Sequence, residues 1–281
     1  MKAEELPGPQ EVFDRAPGEN FSVASLLAGR DNRRHLTAIY GYARMVDQIG
    51  DAGDGDRLAR LDAFEDDVTR IFAGETPAHP VLRRLAPTVR ELELPRGPFD
   101  RLIEANRRDQ QTVAYRTYEE LLAYCDLSAN PVGELVLHVF EAATPDRIAL
   151  SDRICTALQL AEHWQDVAED HAVGRVYIPA EDLDRFGVGR DELGLRPTSA
   201  PLRDLMAFEV ARARGLLDDG APLVGRLRGR ARIAVAGYVG GGRAALDAID
   251  RVDYDVLAGA PKASRARRGW TTLATYLRKG R

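Results

Sequence analysis

Apolar residues recur three or four positions apart along most of the chain, in stretches rich in Ala, Leu, Arg and Glu that Gly and Pro interrupt. That spacing gives an α-helix one buried face. The pattern predicts helices at 33–49, 57–73, 79–91, 97–112, 117–143, 146–171, 199–226 and 230–250, with a shorter one at 269–278. No segment alternates with period two, no βαβ unit can be drawn, and internal repeats and low-complexity linkers are absent. The irregular stretches are an N-terminal arm (1–18), 50–55, 174–197 and 259–264, and none separates two self-sufficient halves. The expected fold is all-α, a single domain over 1–281 ending in a basic tail at 262–281.

Composition narrows the picture. With 281 residues, 44% hydrophobic and 30% charged, the chain can bury a substantial core. Mean hydropathy is −0.31, and no apolar run approaches the length that spans a bilayer. The first twenty residues are polar and acidic, without the apolar segment of a signal peptide. Cys125 and Cys155 form no CxxC pair, which argues against a disulfide scaffold or zinc ribbon. A soluble, cytoplasmic protein is expected. The net charge of −5 conceals an asymmetry: from Lys262 onward there are seven Lys or Arg and no acid, so the preceding 261 residues carry −12. An acidic body argues against nucleic-acid binding.

Two Asp-x-x-x-Asp pairs stand out, Asp47/Asp51 and Asp166/Asp170. Residues four apart on a helix share a face, so each pair offers two carboxylates to one region, a donor set that suits Mg²⁺. The pairs alone say little, because 26 Asp in 281 positions give roughly two such pairs by chance. Asp62/Asp66, opposite the apolar Leu61, Phe64 and Val68, is the solvated case. The company of the other two differs. At 100° per residue Tyr40, Arg44, Asp47 and Asp51 fall within an arc of roughly 60°, and Gln159, Glu162, Asp166 and Asp170 within roughly 80°. Each stripe sits among core-type residues: Leu36, Ile39 and Val46 on one side, Leu158, Ala161 and Val167 on the other.

A third segment supplies a wall. Cys125, Ser128, Ala129, Val132 and Val136 make a slim face on a helix that Pro131 breaks or kinks, and Gly133 permits close approach. Tight helix packing and an apolar slot both fit this face. Arg175 and Tyr177 follow the second pair; an Arg there can clamp a diphosphate or simply complement the helix dipole. The glycine-rich stretch from Gly237 lies in a helical pattern with no strand before it, so no nicotinamide site (NADPH) is expected.

Taken together, YGYARMVDQIGD, YCDLSANPVGELVL, QLAEHWQDVAEDHAVGRVYIP and AALDAIDRVDYDVL resemble the squalene/phytoene synthase family, over nearly the whole chain from Glu19 to Leu257. The resemblance implies an isoprenoid-synthase-type helical bundle in which two Asp-rich motifs face each other across a central cavity. Within the family, ENFSVAS, SANPVG and HWQDVAED look most like the hydroxysqualene synthases of bacterial hopanoid pathways. That implies Mg²⁺-dependent ionisation of presqualene diphosphate and capture of the rearranged cation by water. By resemblance Asp47, Asp51, Asp166 and Asp170 are metal-binding, with Glu162 an added carboxylate where Asn is common. Arg44 and Arg175 hold the diphosphate, and Tyr40, Gln159 and Tyr177 line the rim. Tyr124 matches a tyrosine near the reacting carbons.

The departures from the family pattern bear on the substrate. Glu19-Asn20-Phe21-Ser22 stands where many members have a basic segment, and Gln165 precedes Asp166 where Arg is usual. Asn20, Ser22 and Gln165 are thus expected at the substrate with fewer cationic grips, which favours one diphosphate over two. Tyr124, Gln165 and Asn130 are all candidates for placing the capturing water. Head-to-head condensation of two farnesyl diphosphates stays open, as does a non-catalytic helical lipid- or partner-binding protein, which the convergence of all four aspartates would argue against. A presqualene diphosphate-forming enzyme is an expected upstream partner. In the tail, Trp270, Leu273, Tyr276 and Leu277 lie among cations. This resembles an interfacial amphipathic segment for peripheral membrane association, and a solvated terminal helix fits equally.

Overall fold

The computed structural model describes residues 29–51 and 55–280; Asn20 and Ser22 lie outside them. The described residues form the α-helices α1 (Arg30–Asp51), α2 (Arg57–Phe72), α3 (Pro80–Glu91), α4 (Gly97–Asp109), α5 (Tyr118–Ser128), α6 (Asn130–Val139), α7 (Pro145–Gln165), α8 (Val167–Ala172), α9 (Ala180–Phe186), α10 (Ala200–Gly220), α11 (Leu223–Arg226), α12 (Gly229–Arg251) and α13 (Arg265–Leu277). Side-chain caps define several starts. Asp56 accepts from the Ala59 N–H at 3.0 Å, and Thr117, Ser199 and Ser264 cap α5, α10 and α13 in the same way.

Three of the expected long helices are interrupted. The one at 117–143 breaks at Ala129, which places Pro131 in the first turn of α6, where its missing N–H costs nothing. The one at 146–171 breaks at Asp166 (φ −106°, ψ 17°), yet the Asp170 N–H still donates to the Asp166 carbonyl at 2.8 Å. The acidic pair therefore stays one turn apart. The third stops at Gly220 and resumes as α11 past Pro222. Helix α9, expected as irregular chain, is seven residues long, too short to show a period.

Two apolar cores share the molecule. One joins α1–α4 with Leu135, Val136 and Val139 of α6, and in it Tyr42 meets Phe99 edge-on at 5.0 Å. The other joins α5, α7, α10 and α12 around the fully buried Trp164. Truncating Trp164 to Ala would cost about 3–5 kcal/mol. Phe140 and Tyr238 pack against both cores. The first acidic pair belongs to the first core and the second pair to the second, so any site between the pairs lies at their junction.

Two glycines mark close approaches. A Cβ at Gly133 would sit 2.4 Å from Cys155 Sγ and from Ser151 Oγ, so α6 lies directly on α7. A Cβ at Gly240 would sit 2.5 Å from the Thr272 backbone nitrogen. The glycine-rich stretch of α12 is the seam on which α13 rests, with the Thr271 hydroxyl donating to the Gly240 carbonyl at 2.8 Å.

Candidate active site

Tyr40, Arg44, Asp47 and Asp51 form one ledge, carried by the last three turns of α1. Asp47 is partly buried, accepts from Asn106 Nδ2 at 3.3 Å, and is pushed up to about 6, chiefly by burial. Arg44 Nε is buried without a partner among the described residues, a costly state for a guanidinium unless an anion meets it. Asp51, more exposed, accepts from Arg175 Nη2 at 3.1 Å. That contact joins the two acidic segments across the cavity.

Gln159, Glu162, Asp166 and Asp170 form the opposite ledge, at the α7–α8 break. Burial raises Asp170 to about 7, with Asp166 adding repulsion and Arg175 opposing it. Asp166 is raised by burial and by Glu169, against Lys262. Gln159 Nε2 lies 3.2 Å from His163 Nε2, and the His163 ring stacks on Tyr177 at 3.6 Å. Burial pushes His163 down to about 3, so this ring is neutral.

Asp109, at the end of α4, is a further carboxylate that sequence reading missed. It accepts from the Tyr124 hydroxyl at 2.9 Å, and burial raises it to about 6, opposed by Arg175 and reinforced by Asp51. Its RRDQ context has no paired acid four residues away, so no spacing signal marked it. The segment after α4 meets the segment after α8 through the Ala114–Val176 bridge, where the Val176 N–H donates to the Val113 carbonyl at 2.9 Å. This bridge sets Arg175 and Tyr177 beside Asp109, and Tyr115, Tyr124 and Tyr177 form one aromatic group with centroids 5.5–6.0 Å apart.

Lys262 and Arg268, assigned by sequence to a separate tail, line the same polar space as Tyr40, Glu162, Gln165 and Asp166. The chain folds back and brings to this space two cations that linear order hides. The Gln165 amide donates to the Pro261 carbonyl and secures the fold-back. Asn130 is also committed, accepting from Thr156 at 3.0 Å and donating to Asp126 at 3.2 Å. It lines neither the slot nor the polar space.

Below the ledges runs an apolar slot of about 870 Å³, part of it open to solvent, walled by Ala129, Val132, Val136, Ile154, Leu158 and Val235. Val132, Leu158 and Glu162 line both slot and polar space, so the two are contiguous. The polar groups of the slot include Ser128, Ser151 and Gln159; the Ser128 hydroxyl is buried with no hydrogen bond among the described residues.

Residues 14–268 match the family model for squalene/phytoene synthase. The chain belongs to the squalene/phytoene synthase family. Members of this family are prenyl-transferring synthases that act on isoprenoid diphosphates. The chain is 35% identical over 214 residues to the hydroxysqualene synthase of Rhodopseudomonas palustris, covering 75% of this chain and 72% of that protein. To the presqualene diphosphate synthase of the same bacterium it is 29% identical over 216 residues, covering 76% and 77%. The crystal structure of squalene synthase HpnC from Alicyclobacillus acidocaldarius superposes with a TM-score of 0.81 at 44% identity, covering 90% of this chain and 97% of that one.

Proposed function

We propose that the protein ionises presqualene diphosphate and delivers water to the rearranged cation, giving hydroxysqualene and diphosphate. The contiguity of slot and acidic mouth at Val132, Leu158 and Glu162 carries this reading, because a lipid diphosphate needs both surfaces at once. Support for the water-capturing step comes from the likeness to the Rhodopseudomonas palustris hydroxysqualene synthase and from the Ser128 hydroxyl, buried in the slot wall with no hydrogen bond among the described residues.

The donor set fits Mg²⁺. It is all oxygen, and besides burial the acids raise one another, Asp51 acting on Asp47 and Asp109, and Asp166 and Glu162 on Asp170, a repulsion that a divalent cation would relieve. Among the described residues no three His, Cys, Asp or Glu side chains close on one point. Asp47, Asp51, Asp166 and Asp170 would therefore share the ions with diphosphate and water. Bound there, Mg²⁺ supplies charge neutralisation at the leaving oxygens.

This chain's residues do the rest. Arg44, Arg175, Lys262 and Arg268 hold the diphosphate as the C–O bond breaks and the electron pair leaves with oxygen. The slot excludes bulk water while the cyclopropylcarbinyl cation rearranges. Ser128 orients one water, whose oxygen bonds to the cation and whose proton passes to the released diphosphate. Tyr124, held by Asp109 with its phenol raised by burial, stays protonated, and in the bound complex its ring would stabilise the cation.

The added cations Lys262 and Arg268 favour a second reading, condensation of two farnesyl diphosphates. One experiment separates the two: incubation with Mg²⁺ and either presqualene diphosphate or farnesyl diphosphate, with mass spectrometry of the lipid. Hydroxysqualene from the first substrate alone supports the proposal. Presqualene diphosphate or dehydrosqualene from farnesyl diphosphate supports the alternative.

A further inference from the structure

Helix α13 presents an apolar stripe that no other part of the described chain covers. At 100° per residue Ala266, Trp270, Leu273 and Leu277 fall within an arc of roughly 60°. Trp270 and Leu277 are each 68% exposed and Leu273 is 49% exposed. The opposite face is fixed. Thr271 bonds to Gly240, Thr275 is buried and accepts from Arg243 Nη1 at 3.1 Å, and Arg232 Nη2 donates to the Tyr276 carbonyl at 2.6 Å. The outward set of Trp and Leu is thus held in place by the packing beneath it.

Charge identifies the occupant. Two segments distant in sequence are free of acid: 221–246, with five Arg, and 256–281, with seven Lys or Arg. They fold side by side through α12 and α13, and the turn at Gly225 lies against Lys279. Together they hold twelve cations, while the rest of the chain carries a net −17. Arg243 and Arg267 are tied to Asp218 and Asp247, but Arg265, Arg278 and Lys279 are exposed on the segment that carries the stripe, as are Arg226 and Arg228 on the neighbouring one. A Trp–Leu stripe bordered by Arg and Lys matches an acyl boundary under anionic headgroups. The stripe offers a single aromatic ring for base stacking and the rest of the chain carries a net −17, which sets nucleic acid aside.

We infer that the α13 face docks in the plane of an anionic lipid bilayer. Lys262 and Arg268 belong to the same segment and line the polar mouth, so docking brings that mouth to the headgroup level whichever lipid diphosphate is the substrate.

The test uses the full chain with vesicles of phosphatidylglycerol and phosphatidylethanolamine, against vesicles of phosphatidylcholine alone. The other tryptophan, Trp164, is fully buried, so a change in emission reports Trp270. A blue shift is expected with anionic vesicles, with partitioning about tenfold or more above that on phosphatidylcholine and weakened by about 0.5 M salt. Leu273→Ser with Leu277→Ser should cut partitioning about tenfold with unchanged circular dichroism, and Arg278→Gln with Lys279→Gln should reduce only the anionic preference. Equal binding to both vesicles, no shift with either, binding of RNA or DNA without vesicle binding, or a lipid-free dimer that the double Leu variant dissolves would each overturn the inference.

Discussion

Arg175 Nη2 donates to Asp51 Oδ1 at 3.1 Å, closing 124 residues of sequence into one contact between the two acidic segments. Both side chains are partly exposed, so the pair stabilises the fold by less than about 1 kcal/mol. Its value is positional: the guanidinium is held where diphosphate oxygens would lie, next to Asp109 and Asp170. Arg175→Gln is expected to lower kcat/KM roughly 100-fold, about 2.8 kcal/mol, with little change in the denaturation midpoint. A variant that lost stability and activity in parallel would show a structural strut instead.

Asp47 and Asp170 predict a trade of stability for function. Their folded pKa values, about 6 and about 7, lie above the unfolded carboxylate value of 3.8. The protonated form is thus favoured by folding, and the associated stability is full below about 3.8 and lost as pH rises through 6–7. At pH 8 Asp47→Asn and Asp170→Asn should each raise stability by about 1–2 kcal/mol without Mg²⁺ while abolishing turnover. Urea titrations at pH 5 and pH 8 check the sign, and helical circular dichroism should persist in both variants.

Lys262 and Arg268 face Asp166, Glu162 and Gln165 across the mouth. Lys262→Ala and Arg268→Ala should raise KM for the diphosphate substrate about tenfold each, with smaller effects at high salt. Steady-state kinetics at two ionic strengths measures this. An unchanged KM would return these residues to the membrane-facing surface.

Ser128→Ala removes the hydroxyl and nearly keeps the volume of the slot wall. With no group to hold water there, the cation should lose a proton and give a dehydrosqualene-type hydrocarbon. Product ratios by mass spectrometry decide it: alcohol undiminished in the variant would mean that another group delivers the water.

Away from the site, Glu209 is fully buried on α10, close to Asp182, which Arg212 holds at 3.0 Å and 3.3 Å. Burial raises Glu209 to about 8. The linkage again favours the protonated form, so stability falls as pH climbs from about 4.5 to about 8. Glu209→Gln should flatten that fall, as read from melting temperatures across the interval.

The helical class, the acidic pairs and the apolar stripes were legible because each depends on neighbours within a turn or two. Leu36, Ile39 and Val46 bury beside Asp47 for the same reason that 3.6-residue spacing predicted a buried face. The breaks at Ala129 and Asp166 were less legible, since tertiary contact decides whether a long amphipathic stretch runs straight or kinks.

The sequence by itself determined an all-α chain with two carboxylate stripes and a cation-rich end. Only the tertiary structure decided that Asp109 joins the stripes, that Lys262 and Arg268 turn into the mouth, and that Trp270 turns outward. The physical reason is range. A helix's face is set by a period of a few residues, whereas the field at a carboxylate is set by whichever charges the fold brings within a few ångströms, from any distance along the chain.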